Sequence, residues 1–161
     1  MKKLVVYLLI LVCFGGLFSV KTENNPLFSL EKVESVCFVS SEKSDGCDVV
    51  CCGDMFFNYC SVEQAKEKID EIKNADGVQF YLADVDLREV FEILKFEEVS
   101  KMQVDDLMVY CGFSVYGNKS VLVEGKRVNV QVVAIDNKVI AGFPMILTGY
   151  WLNCVKVIYF R

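Results

Sequence analysis

Four of the eight cysteines in this 161-residue chain, Cys47, Cys51, Cys52 and Cys60, fall within fourteen consecutive positions, and no histidine accompanies them. Four thiolates at a C-x3-C-C-x7-C spacing are enough to surround a zinc ion or an iron–sulfur cluster. The spacing is neither a pair of CxxC knuckles nor a ferredoxin run, and adjacent Cys51 and Cys52 do not easily share one tetrahedral ion. In an oxidising compartment the same residues read as a disulfide-stapled loop, because the surrounding stretch has too few apolar residues to order itself. Cys60 immediately precedes a helix start, the place where a thiol is most readily activated, so it is the candidate for redox or nucleophilic chemistry. All three readings stay open on the sequence, with the stapled loop carrying more weight.

The absence of histidine removes Ser-His-Asp and Cys-His nucleophile systems and every zinc site built partly from imidazole. Carboxylate pairs stand at Asp84/Asp86, Glu97/Glu98 and Asp105/Asp106. Such pairs can drive glycoside hydrolysis or hold a hard cation, but these sit where helix caps and solvated charges are expected. No EF-hand, P-loop or GxGxxG pattern occurs. The chain therefore reads more readily as a non-enzymatic module than as an enzyme, and no cofactor is called for. Lys and Arg total 17 against 22 Asp and Glu, a net charge of −5. An acidic body repels phosphate backbones, which argues against a nucleic-acid partner.

The elements that must position these residues begin after residue 20. Lys2 and Lys3 precede an uncharged apolar run from Leu4 to Val20, the n-region and h-region of an export signal. As a helix this run spans roughly 26 Å, a little short of a ~30 Å hydrocarbon core. It is read as a signal peptide or as an N-terminal membrane anchor over residues 1–20, making the protein exported, either secreted or held on the outer face of the cytoplasmic membrane. Residues 21–30 read as a polar spacer broken at Pro26. Residues 31–161 read as one α+β domain.

Within that domain, Glu31 to Val39 suits a first strand, whereas Ser40 to Cys60 has no clear pattern. Ser61-Val62-Glu63-Gln64 is a capping box, and Val62, Ala65, Ile69 and Ile72 fall on one helical face. Val78 to Ala83 reads as a strand, and Asp86 caps a second helix carrying Leu87, Val90, Phe91 and Leu94. Asp106–Tyr116, Lys119–Glu124, Arg127–Ile135 and Lys138–Leu147 are β-rich runs separated by Gly117-Asn118, Gly125-Lys126 and Asp136-Asn137. Three tight turns in succession predict an antiparallel meander of four to five strands, with the two helices packed on one face. Gly142-Phe143-Pro144 predicts a bulge or an edge, and Trp151 to Phe160 a final strand.

Leu107, Val109, Cys111, Phe113 and Val115 alternate on one side of the first meander strand and are expected to meet the helices. The opposite side then holds Met108, Tyr110, Ser114 and Tyr116, joined by Asn129 and Gln131 from a neighbouring strand. Met108, Tyr110, Tyr116, Asn129 and Gln131 are the candidate contacts for an unknown protein or small ligand at the cell envelope.

Val128-Asn129-Val130-Gln131-Val132, then Gly142-Phe143-Pro144-Met145-Ile146 and Gly149-Tyr150, with Cys111-Gly112-Phe113-Ser114 upstream, resemble the C-terminal part of the YwmB-like family of exported bacterial proteins. The resemblance covers the C-terminal third. It implies a fold similar to TATA-box-binding protein, no DNA binding, no characterised activity and no catalytic residues to carry over.

Overall fold

The computed structural model describes residues 25–104 and 107–146. The export segment, residues 21–24 of the spacer, Asp105/Asp106 and the expected strand at 151–160 lie outside the described residues. The architecture is α+β, but its sheet has eight strands rather than four or five. In chain order these are β1 (Val33–Ser40), β2 (Asp48–Cys52), β3 (Met55–Cys60), β4 (Gly77–Ala83), β5 (Glu97–Val104), β6 (Leu107–Phe113), β9 (Val130–Ile135) and β10 (Lys138–Phe143). Strands β7 (Val121–Val123) and β8 (Lys126–Val128) form a separate hairpin. The spatial order is β2-β3-β1-β4-β10-β9-β6-β5, with every pairing antiparallel.

Three short helices cover one face: α1 (Val62–Glu67), α2 (Ile69–Asn74) and α3 (Leu87–Leu94). The capping box forms as the spacing predicts, with Ser61 Oγ accepting from the Gln64 amide and Gln64 Oε1 accepting from the Ser61 amide. The single helix expected to follow is broken at Lys68, which leaves helical geometry between α1 and α2. Asp86 caps α3 by accepting from the Arg88 amide. Val90 and Leu94 of α3 pack with Phe80, Leu82, Val132, Val139 and Ala141 in the main core.

The second half of the stretch read as a polar spacer belongs to this core. Asn25 Oδ1 accepts from the Leu27 amide and starts a 3-10 turn over Pro26–Ser29. Leu27 and Phe28 are buried, and the Phe28 ring meets Phe80 edge-on at 4.9 Å. Pro26 does not simply break the chain here. It starts the turn at a position where a missing N–H costs nothing.

Strands β2 and β3 arise from the stretch that showed no clear pattern, and strand β5 was also missed, since Glu97, Glu98, Lys101 and Gln103 make it look like solvated loop. The Gly117-Asn118 hairpin does not form: β6 pairs with β9 and β5, not with β7. The later turns fall close to their predicted places. Glu124 and Gly125, both at positive φ, join β7 to β8, one residue earlier than expected, and Asp136-Asn137 joins β9 to β10. Strand β10 is neither an edge nor bulged; it lies between β4 and β9 and ends at Phe143, before a cis bond to Pro144. Gly142 is required there, because a Cβ would sit 2.5 Å from the Met145 carbonyl oxygen.

Candidate functional site

The strongly exposed chemistry sits on the β2–β3 hairpin. Cys47 and Cys60 close a disulfide across its base, with their Cα atoms 5.0 Å apart. This disulfide is compatible with an oxidising, exported environment. It also corrects two sequence expectations. Cys60 is not an activated thiol but a buried half of a disulfide, and Cys47 and Cys60 are not available with Cys51 and Cys52 to form a four-thiolate metal site. Among the described residues, no group of three or more metal-ligating side chains converges. Cys51 and Cys52 remain free and exposed on β2.

Among the described residues strand β2 forms one edge of the sheet, and every residue in it except half-buried Val49 is exposed. Cys52 and Met55 flank the two-residue turn Gly53-Asp54. In such a hairpin the flanking pair exchanges backbone hydrogen bonds and the next pair does not. Asp48, Val50 and Cys52 therefore bond inward to β3, and the amides and carbonyls of Val49 and Cys51 point out from the sheet. Val50 is 50 % exposed, and the strand's one charge is Asp48. The opposite edge, β5, is built differently. It exposes Glu97, Glu98 and Lys101, its register shifts between Glu98 and Ser100, and the Val99 carbonyl at that irregularity accepts from Lys126 Nζ at 3.4 Å. Charges and a bulge are the usual means of blunting an edge; β2 has no bulge and a single charge, Asp48, at its start.

The loop leading into β2 is clamped by Asn58, which is fully buried on β3. Its Oδ1 accepts from the Ser44 amide at 2.8 Å, and its Nδ2 donates to Ser40 Oγ and to the Glu42 carbonyl. Beside this loop, Ser41, Lys43, Asp45, Lys68, Glu71 and Asp76 line a polar cleft of about 670 Å³. Its groups largely satisfy one another. Ser44 Oγ donates to Glu71 at 2.6 Å, and the Lys68 ammonium lies 3.5 Å from the same carboxylate. Asn58 was not singled out by sequence reading; its polar type inside the hydrophobic run Met55–Cys60 was the available signal.

The five residues expected to form a binding face do not share one. Tyr110 pairs opposite Val132 and meets Phe91 of α3 edge-on at 5.3 Å, so it lies on the helix-covered side. Tyr116 packs half-buried against that same core, while Met108 sits opposite Gln103 on β5. Val109 and Cys111, expected to meet the helices, belong instead to the cluster on the other face with Val133 and Ile140. The register decides this: Val109 pairs with Val133 and Cys111 with Gln131, which point away from the helices.

Asn129 and Gln131 are buried and used internally. Asn129 Oδ1 accepts from the Ser114 amide and its Nδ2 donates to the Ser114 and Gly117 carbonyls. Gly117 is required beside it, because a Cβ there would lie 2.6 Å from the Asn129 amide group. Gln131 Nε2 lies 3.3 Å from Cys111 Sγ, and its Oε1 accepts from the Ile146 amide. The carboxylate pairs are equally structural where described. Asp84 accepts from Asn137, Asp86 caps α3, and Glu97 and Glu98 occupy the blunted edge.

The helix-free face carries a feature that single strands could not reveal. The register aligns Tyr59, Cys37, Gln79, Gly142, Gln131, Cys111 and Ser100 in one row across neighbouring strands. Burial pushes the Cys37 thiol up to about 12, partly offset by its hydrogen bond with Tyr59. Burial also raises the Tyr59 phenol, reinforced by Cys37 and Tyr81, and raises Cys111 against the opposing pull of Gln131 and Ser100. Burial thus disfavours the thiolate, the reactive form, at both cysteines. Gln79 is fully buried, and neither of its amide atoms has a hydrogen-bond partner among the described residues. Comparison of the chain with protein-family models, with curated proteins and with solved structures finds no match.

Proposed function

We propose that this chain is an exported, non-enzymatic binding module that takes an extended segment of a partner protein onto the open edge of its sheet at β2. The contrast between the two edges carries this reading. Strand β5 is charged, irregular and partly capped by Lys126, whereas β2 presents the unpaired amides and carbonyls of Val49 and Cys51 beside exposed Val50. Strand addition uses such groups for affinity and alternate side chains for selectivity. The disulfide at the hairpin base holds the edge in place, so little order has to be gained on binding. The apolar segment after Lys2 and Lys3 and the Cys47–Cys60 bridge both favour an exported setting.

The test is binding of short extended peptides rich in Val, Ile and Thr, followed by fluorescence anisotropy. Val49→Pro removes one outward N–H without breaking a bond to β3, as proline is tolerated on an edge. Peptides should bind the wild type and the Glu98→Ala variant of the far edge, and should not bind Val49→Pro, which should melt like the wild type. Equal binding by Val49→Pro, or no binding by the wild type, sinks the reading.

A further inference from the structure

We infer that one half of the helix-free face is the seat of this chain's own C-terminal segment, residues 147–161, which crosses from β9 toward β3 and meets the buried amide of Gln79. On the other half of that face the β7–β8 hairpin lays Val121, Val123 and Val128 against Val109, Val133 and Ile140. Among the described residues, no helix or hairpin joins the cluster on the proposed seat. That cluster, Cys37, Val39 and Phe57 with Met55, Tyr59 and Tyr81, is made entirely of side chains from β1, β3 and β4. Strand neighbours shield one another's flanks but leave the outer ends of their side chains open, because side chains stand away from the sheet. Yet Cys37 and Gln79 are fully buried and Val39 nearly so.

The path of the chain selects which terminus supplies the cover. Leu27 and Phe28 pack on the helix side against Phe80, so the N-terminal segment joins the fold on the opposite face. Ile146, by contrast, lies on the helix-free face with Val133 and Ile140. Gln131 Oε1 accepts from its amide, and the backbone there passes directly over Gly142, where a Cβ would meet the Ile146 nitrogen at 2.7 Å. Gly142 stands between Gln131 and Gln79 in the row. One glutamine therefore already holds the backbone of the departing chain. The other, on the far side of the same glycine, is buried with an amide that no described residue satisfies. A buried amide without partners is costly, and a passing backbone offers both the donor and the acceptor it lacks. Length and composition fit the seat. Fifteen residues follow Ile146, and even wound as a helix they reach about 22 Å. From β9 across β10, β4 and β1 to β3 is four strand spacings, about 19 Å. The segment carries Trp151, Leu152, Val155, Val157 and Ile158, and its charges are Lys156 and Arg161 alone. So apolar a stretch gains most by leaving water for an apolar face.

The experiment labels the full chain, its Cys47–Cys60 bridge intact, with a maleimide and maps each cysteine by mass. Exposed Cys51 and Cys52 should label first, and buried Cys37 and Cys111 slowly. Trp151→Asp combined with Val155→Asp sets charge on one side of the segment, since positions four apart share a side in a helix and in a strand. In this variant Cys37 should label about tenfold faster, with Cys111 in the hairpin-covered cluster unchanged. Fast labelling of Cys37 in the wild type, or an unchanged Cys37 rate in the variant, overturns the inference. Where both thiols lose protection together, a benzophenone side chain at position 151 of the otherwise native chain decides. Photo-crosslinks to β1, β3 or β4 within one molecule bear the inference out. Crosslinks to the helices or to a second molecule overturn it.

Discussion

Strands β1 and β6 leave the sheet in the same way and return in the same way, yet their flanks end differently. Each strand runs into a serine-containing loop, a hairpin follows, and the returning strand pairs antiparallel with the one that left. On the first flank Asn58 accepts from the Ser44 amide, and on the second Asn129 accepts from the Ser114 amide, both at 2.8 Å. Beyond this shared clamp the hairpins diverge. Strand β2 stays in the plane of the sheet as its edge, while β7 and β8 leave that plane and lay Val121, Val123 and Val128 against Val109, Val133 and Ile140. The vacated edge on that flank is taken by β5, with its exposed glutamates. A hairpin with apolar residues for the face becomes a cover. One whose outer strand is exposed almost throughout, as β2 is, becomes an edge, and here a disulfide holds it there.

The comparison can be broken most severely through the disulfide. Replacing Cys47 and Cys60 together by Ala reopens a loop with a sequence separation of 13 and should cost roughly 3 kcal/mol. Hydrogen exchange should show the loss in β2 and β3 and leave β7 and β8 protected; uniform loss would mean the two flanks are not independent. The clamps come next. Asn58→Ala and Asn129→Ala each strand a buried amide and should each cost about 2–3 kcal/mol in urea unfolding. The first should loosen residues 40–46 and the second residues 114–117.

Alkaline pH tests the buried thiol of the first flank. An unfolded thiol ionises near 9, while Cys37 keeps its proton up to about 12, so the folded state holds the extra proton between those values. Stability contributed by this group is intact below pH 9 and falls above it, by up to about 1.4 kcal/mol per pH unit. Cys37→Val should flatten part of that decline in urea midpoints measured with the exposed thiols blocked, and an unchanged slope would place the titration elsewhere. The smallest effect concerns the centre between the flanks. Gln79→Met removes the amide inferred to meet the C-terminal segment and should lower stability by about 1 kcal/mol. A rise would show that the amide is unpaired in the folded chain.

Much of the local structure was legible from residue order. Ser61, Gln64 and Asp86 act within one helical turn, so their capping roles follow from spacing alone. Strands β4 and β9 and the Asp136-Asn137 turn are likewise set by short-range pattern. Strand β5 was hidden because an edge strand guarded by charge has the composition of a loop. The candidate binding face failed for a different reason. Alternation divides a strand into two sides, but in β6 both sides carry apolar residues, and only pairing with β9 decides which side meets α3.

The sequence by itself determined the helix caps, the Asp136-Asn137 turn, the chemistries that lack of histidine excludes, and the presence of a thiol-rich segment, because each depends on residue identity or on neighbours a few positions apart. Tertiary structure alone decided that Cys47 pairs with Cys60 and leaves Cys51 and Cys52 exposed, that Asn129 and Gln131 are internal fasteners, and that β2 stands at the edge of the described sheet. Those outcomes depend on which distant strands share a register, and strand alternation is blind to its partner until pairing fixes one face against the core.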